Sequence, residues 1–414
     1  MRLFRLEVKR ILKSRRTLIL LAAALLLSIV MAILPVTFES INRPEKDGTV
    51  TELNGLEAIR FKKEYYKKTE GTVTPQKMAQ ALETYQSFVQ KYGSLDDIPL
   101  DIYIENILPV RPVLKGLPEI FADSATGVGA DLMEIDSAQV EEHLYEKCSS
   151  HLDDIMKMEQ KKHPAAIAFA ADKYTDVEKP FQLYPGLSRD AFDYITLYLL
   201  LLSILCIAVA APVFADEYQT GSDSILRCTK YGRKKLAVTR ILAVDCILTV
   251  TFLLGMSIHL LLLNLAFGRD CLKTSMQMLF SAISLPDLNL GQLQVILAAA
   301  GLVSIWACIS FTLFLSARCR DNLSVLILSV VMLLFPAFAY IGFGESTWIS
   351  SVLPSSGIGM QNNFLYQLCG FHFLHIGNLS LWTPYVILFS AAIEIPLFLL
   401  LAVRVYCRHS FRAA

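Results

Sequence analysis

Charge is missing from long stretches of this sequence. Six runs, Thr17–Val36, Ala191–Ala215, Ile241–Gly268, Leu293–Leu315, Leu323–Phe343 and Pro384–Val403, carry no more than one charged residue each. With 54% hydrophobic residues and a mean hydropathy of +0.46, the chain is too apolar for an ordinary soluble domain. Cysteine gives no disulfide framework: nine are scattered singly, and an odd number cannot all pair within one chain. Cys206, Cys246 and Cys308 lie inside apolar runs, where a thiol behaves as a small hydrophobe. Catalytic signatures are missing too. There is no Gly-x-x-x-x-Gly-Lys-Ser/Thr loop, none of the twenty glycines precedes a lysine, and neither a nucleophile elbow nor His-Glu-x-x-His occurs. The chain is therefore not expected to be an enzyme, nor to bind a nucleotide or metal cofactor itself.

What is present fits a membrane. About twenty apolar residues in a helix cross the hydrocarbon core, and six runs of that kind predict an all-α membrane protein with six transmembrane helices. Pro212, Pro336 and Pro396 fall inside these runs, which a spanning helix tolerates when its neighbours satisfy the freed backbone groups. The first run, assigned to residues 17–38, is too long for a typical signal-peptide core and lacks a clear cleavage site after Pro35, so it reads as a retained span. With the N-terminus inside, the short inner segments 1–16, 216–240, 317–322 and 404–414 hold eighteen Lys/Arg, and the short outer loops hold only Arg269 and Lys273. By the positive-inside rule both termini are expected in the cytoplasm; the protein is expected in the plasma membrane. Residues 1–16 place Phe4, Val8, Ile11 and Leu12 at helical spacing among seven basic residues, the pattern of an amphipathic interface helix.

Residues 39–190 are the charged exception, with 18 Lys/Arg and 27 Asp/Glu. They are expected to form a mostly helical extracytoplasmic domain between the first and second spans. Thr74-Pro75 starts a helix bearing Met78, Leu82, Tyr85, Phe88 and Val89, and a second is expected from about Ser137 to Lys162. An excess of nine acids could attract cationic ligands, although many soluble domains are equally acidic.

The remaining residues, 191–414, comprise spans two to six, a short cytoplasmic tail, and the loop 216–240. This loop is the richest segment in the chain. Asp216 and Glu217 close the second span, and Gly221 allows a turn. Ser222 or Asp223 can cap a short helix carrying Ile225, Leu226 and Tyr231 as apolar projections and Arg227 and Lys230 as charged ones. Gly232 can end that helix, and Arg233, Lys234, Lys235 and Arg240 anchor the next span. The plain reading is a basic loop with one capped turn; the functional one is a helix that plugs into a partner.

The order Glu217-x-x-x-Gly221-Ser222, Ile225-Leu226, Gly232-Arg233 resembles the same loop in permease subunits of the type-2 ABC exporter class, and Phe314–Asn322 resembles that class's loop between spans four and five. The resemblance implies an ATP-binding subunit docking on residues 216–235, with ATP bound only in that partner. It also implies a second permease subunit, identical or related, in a lipid bilayer; no nucleic acid is expected. On this expectation Ile225 and Leu226 fill a groove, while Arg227, Lys230 and Arg233 set register. No residue identifies a substrate.

Ionisable groups inside spans are functional candidates. Asp245 and His259 lie on one face of the third span, about 21 Å apart along its axis, and Glu394 lies near the middle of the sixth. Cys369-x-x-His372-x-x-His375 has ligand-like spacing, but its interleaved aromatics read better as an interfacial or re-entrant segment than as a zinc site. Two other roles stay open: a non-transporting membrane sensor or scaffold with a ligand-binding outer domain, and a proton-coupled transporter using Glu394.

Overall fold

The computed structural model describes residues 2–46, 48–123, 126–343 and 348–408. Among these residues, six helical segments are long and apolar enough to cross a membrane, and the chain is a multi-pass membrane protein. Helix α1 (Arg2–Lys13) precedes the first span, α2 (Arg15–Thr37), and Ser14 breaks them by accepting a bond from the Thr17 N–H. Strands β1 (Ser40–Pro44) and β2 (Val50–Asn54) form a hairpin, followed by α3 (Leu56–Tyr66), β3 (Gly71–Val73) and α4 (Pro75–Tyr92). Three short turns, α5 (Leu100–Ile102), α6 (Arg111–Leu114) and α7 (Leu117–Ile120), lead to α8 (Ser137–Glu159), α9 (Pro164–Thr175) and β4 (Phe181–Leu183), which pairs with β3.

The two domain helices expected from periodicity are present, and their apolar stripes make the domain core. Thr74 caps α4, and Met78 and Leu82 are buried in one core with Val140, Leu144, Cys148, Leu152 and Met156 of α8, while Val89 packs with Ile98 and Ile107. The described residues also form three two-stranded sheets, which helical periodicity does not predict.

The second span is α10 (Arg189–Ala210) continued by α11 (Pro212–Thr220). It leads through α12 (Ser222–Arg227) into α13 (Lys234–Phe267), whose 34 residues reach about 51 Å. That exceeds the hydrocarbon thickness, so α13 extends beyond it. After α14 (Met276–Leu279) come α15 (Leu290–Arg318) and α16 (Asn322–Phe343). The short α17 (Phe364–Cys369) and the hairpin β5 (Phe373–Ile376)/β6 (Leu379–Trp382) then precede α18 (Thr383–Arg408). Pro336 and Pro396 stay within continuous helices, whereas Pro212 interrupts its span.

Helix α1 and the last described turn of α18 lie at one end of the bundle together with α12, where Arg10 reaches Glu217 and the Tyr406 hydroxyl reaches the Gly232 carbonyl. Residues 39–188 occupy the other end, where the loops between spans are stitched to them. The Thr274 hydroxyl donates to the Tyr184 carbonyl and accepts from the Tyr184 N–H, both at 2.9 Å. Glu119 accepts from the Ser281 hydroxyl and the Ala282 N–H. The Tyr174 hydroxyl donates to the Ala282 carbonyl at 2.9 Å. Domain and spans therefore share one continuous core.

Candidate functional site

At the terminal end, α12 is pinned between the second and third spans. Gly221 ends α11 in the left-handed conformation (φ 68°), which only glycine adopts without strain, and the chain turns directly into α12. The expected side-chain cap does not form. Neither Ser222 nor Asp223 accepts from the first N–H groups of α12, and Asp223 turns inward, buried, to meet Arg227 at 3.4 Å. The helix also stops at Arg227, short of Gly232, because the chain must double back: a Cβ on Gly232 would lie 1.6 Å from the Leu226 carbonyl oxygen. This contact requires glycine.

Arg227 departs from its expected place as an outward charge. Its guanidinium lies 4.8 Å over the Tyr406 ring of α18 and 5.8 Å over Tyr218 of α11, an arrangement favoured by the ring quadrupole. The Tyr406 hydroxyl donates to the Gly232 carbonyl at 3.4 Å. Leu226 is half-buried, while Ile225 is 73% exposed and Tyr231 50% exposed. Lys230 and Arg233 are exposed as expected, and the ammonium groups of Lys230 and Lys235 flank the Tyr231 ring. The outward face of this site is thus Ile225 and Tyr231 in a basic surround.

Beneath it lies a buried charge network. Arg240, only 1% exposed, pairs with Glu217 at the end of the second span and lies 3.5 Å from Glu7 of α1. Arg10 reaches Glu7 at 2.9 Å and Glu217 at 3.3 Å. Two carboxylates and two guanidiniums cancel, the arrangement that makes burial of charge tolerable. Arg240 is therefore an internal ion-pair partner and does not anchor α13 at the membrane surface as expected. The face that α1 turns inward carries Glu7, while Phe4 and Leu12 of the anticipated apolar stripe stay exposed. Glu7 is the one acid among the first sixteen residues, the local sequence signal for this inward face.

The break at Pro212 is repaired from α15. The Ser316 hydroxyl accepts from the Phe214 and Ala215 N–H groups at 3.0 and 3.2 Å and donates to the Ala211 carbonyl at 2.7 Å. Arg16 donates to the Ala208 carbonyl at 3.5 Å, the acceptor that proline leaves without a helical donor. The Asn322 amide donates to Asp216 and Gln219, joining the loop between spans four and five to α11. The two segments that carried the family resemblance are therefore in contact.

The three intramembrane candidates lie apart. His259 is fully buried, its Nδ1 3.2 Å from the Ser28 carbonyl oxygen and its ring stacked on Tyr198 at 5.2 Å, where the first three spans meet. Asp245 is half-buried on α13 with no hydrogen bond or ion pair among the described residues. Glu394 is half-buried on α18, and its Oε2 is buried without a hydrogen-bond partner.

Cys369, His372 and His375 do not converge. His372 lies against Tyr366, while His375 pairs with the Ser380 hydroxyl and stacks on His163 of the domain at 3.4 Å. The segment is a hairpin packed on Phe169, not a re-entrant loop. Among the described residues, no three His, Cys, Asp or Glu are grouped to hold a metal ion. No described protein family matches this chain, and no curated protein matches it significantly.

Proposed function

We infer that this chain is the membrane-spanning permease subunit of an ATP-driven exporter, energised by a separate ATP-binding subunit that docks on α12. The observation that carries this reading is the exposure of Ile225 on α12 and of Tyr231 in the turn that follows it, while Asp223 and Arg227 fix the other side of α12 in the bundle. An exposed apolar side chain at the centre of a basic surround suits a groove in a partner that has an apolar floor and acidic rim. The fixed side suits transmission of force. Arg227 links α12 to α18 through Tyr406; Glu217 and Arg240 link α11 to α13 and α1; Ser316 links α11 to α15. Motion imposed at Ile225 would thus reach five bundle elements through packed or hydrogen-bonded contacts. On this reading the terminal end is cytoplasmic and residues 39–188 are outside. A second permease subunit would cover part of the apolar surface of α16, where Leu323, Val331, Phe338 and Ile341 are exposed, with lipid covering the rest.

The test is co-purification. The affinity-tagged chain from its native cells should carry a P-loop ATPase and hydrolyse ATP, and an Ile225→Asp variant should lose both while inserting normally. A particle with no associated nucleotide hydrolase would remove the basis for the exporter role. The partnerless Oε2 of Glu394 favours one other reading, a proton-coupled transporter. Transport that persists without ATP, and that Glu394→Gln abolishes, would select it.

A further inference from the structure

A lined cavity lies at the opposite end of the molecule from α12, so what it binds is independent of ATPase docking. It encloses about 840 Å³, within the usual range for small-molecule sites. One wall is made by the chain leaving α2 (Glu39–Ile41), the start of α10 (Ser188–Asp190) and Leu290 at the start of α15; the other is made by the domain. The cavity therefore sits where the spans emerge from the apolar layer.

Its charge is opposite to that of the domain around it. Residues 39–190 carry nine more acids than bases, yet five bases, Lys62, Lys63, Arg111, Lys115 and Arg189, line the cavity against two acids, Glu39 and Asp190. Glu39 is already taken, accepting from Lys62 at 2.7 Å. Among the described residues, none of Lys63, Arg111, Lys115 or Arg189 has a carboxylate within ion-pair distance. Arg111 donates instead to the Tyr103 hydroxyl at 2.9 Å, and Lys115 reaches only the Leu279 carbonyl at 3.4 Å. Burial first, and the charge of Arg189 second, hold the Lys115 ammonium below its ordinary pKa, with the nearby Asp190 carboxylate acting in the opposite direction. Met278, Leu279 and Leu290 supply an apolar wall on the side of the spans.

We propose that this cavity binds a phosphate-bearing amphiphile at the membrane boundary, its phosphate held by Arg111, Lys115 and Arg189 and its apolar portion against Met278, Leu279 and Leu290. Guanidinium groups match phosphate oxygens in bidentate geometry, and a lysine adds a point charge. The ligand class is the reverse of the cationic peptide that the net charge of the domain invites.

The full chain, purified in an uncharged detergent, is titrated calorimetrically with dihexanoyl phosphatidic acid, dihexanoylglycerol and glycerol 3-phosphate. Saturable binding of the phosphatidic acid, absent for dihexanoylglycerol, is expected. Comparable binding of glycerol 3-phosphate would keep the phosphate site but assign it a soluble ligand in place of a lipid. The double variant Arg111→Gln/Lys115→Gln should weaken binding about tenfold or more, the loss of at least one charge-assisted hydrogen bond. Asp190→Asn should tighten it, a gain that misfolding cannot produce. Equal binding of dihexanoylglycerol, no binding of either phosphate, or indifference to Asp190→Asn would overturn the proposal.

Discussion

Ser316 of α15 donates its hydroxyl proton to the Ala211 carbonyl at 2.7 Å, one residue before the proline that interrupts the second span. The same oxygen accepts from two N–H groups just beyond that proline. Ser316, Ala211, Phe214 and Ala215 are fully buried, so no water can take over these bonds. Ser316→Ala is therefore expected to destabilise the purified protein by about 1–3 kcal/mol, the usual consequence of leaving buried backbone groups unpaired. Pro212→Ala lets the helix run on, so the Ser316→Ala loss should shrink in that background. Thermal melts of the four proteins in this double-mutant cycle measure the coupling; an identical Ser316→Ala effect in both backgrounds would mean that the serine does not repair the break.

The buried network predicts an asymmetric response. Removing Arg240 leaves Glu7 and Glu217 facing each other with Arg10 alone, and Arg240→Ala should cost about 3–5 kcal/mol. Replacing charges together should be milder: Arg240→Met combined with Glu217→Gln is expected to lose less than Arg240→Ala alone. Unfolding midpoints in denaturing detergent give the comparison. If the double replacement proves the worse of the two, the energetic reading of the cluster is wrong.

The His163–His375 stack should make the contact between domain and hairpin sensitive to acid. Burial, followed by the neighbouring His163, lowers the pKa of His375 below its ordinary value of 6.5. The unfolded chain thus takes up a proton at His375 before the folded chain does, and this group's share of stability falls as pH drops through about 6.5, levelling off below the folded pKa. Melting temperature at pH 7.5 and 5.5 should drop less on acidification in His375→Phe than in the unmodified chain. Equal drops would show that the stack does not titrate in this range.

How much of this was legible depended on the length scale of each feature. Spans read clearly because twenty consecutive apolar residues have few other meanings, and α4 and α8 read clearly because capping and period agree at Thr74-Pro75 and along Val140–Met156. Arg227, Arg240 and Glu7 were misplaced or missed for one physical reason. Positional rules send a charged side chain at a membrane boundary to solvent unless a partner takes it in, and here other helices supply such partners: Tyr406 for Arg227, Glu217 for Arg240 and Arg240 for Glu7. Ser316 had no local signal, since its role is set by a proline more than a hundred residues earlier. The cavity was illegible for the same reason: Lys62, Arg111 and Arg189 come to line one cavity only through the tertiary fold, and the domain's net charge pointed to the opposite sign.

The most direct measurement of the central claim is site-specific photocrosslinking in the native membrane. A photoreactive amino acid at Ile225, 73% exposed, is compared with one at Val128, 66% exposed in the domain at the far end. The account predicts a single strong adduct from position 225 to a P-loop ATPase and none to that protein from position 128. An ATPase crosslinked from position 128, or none from 225 while transport continues, would contradict it.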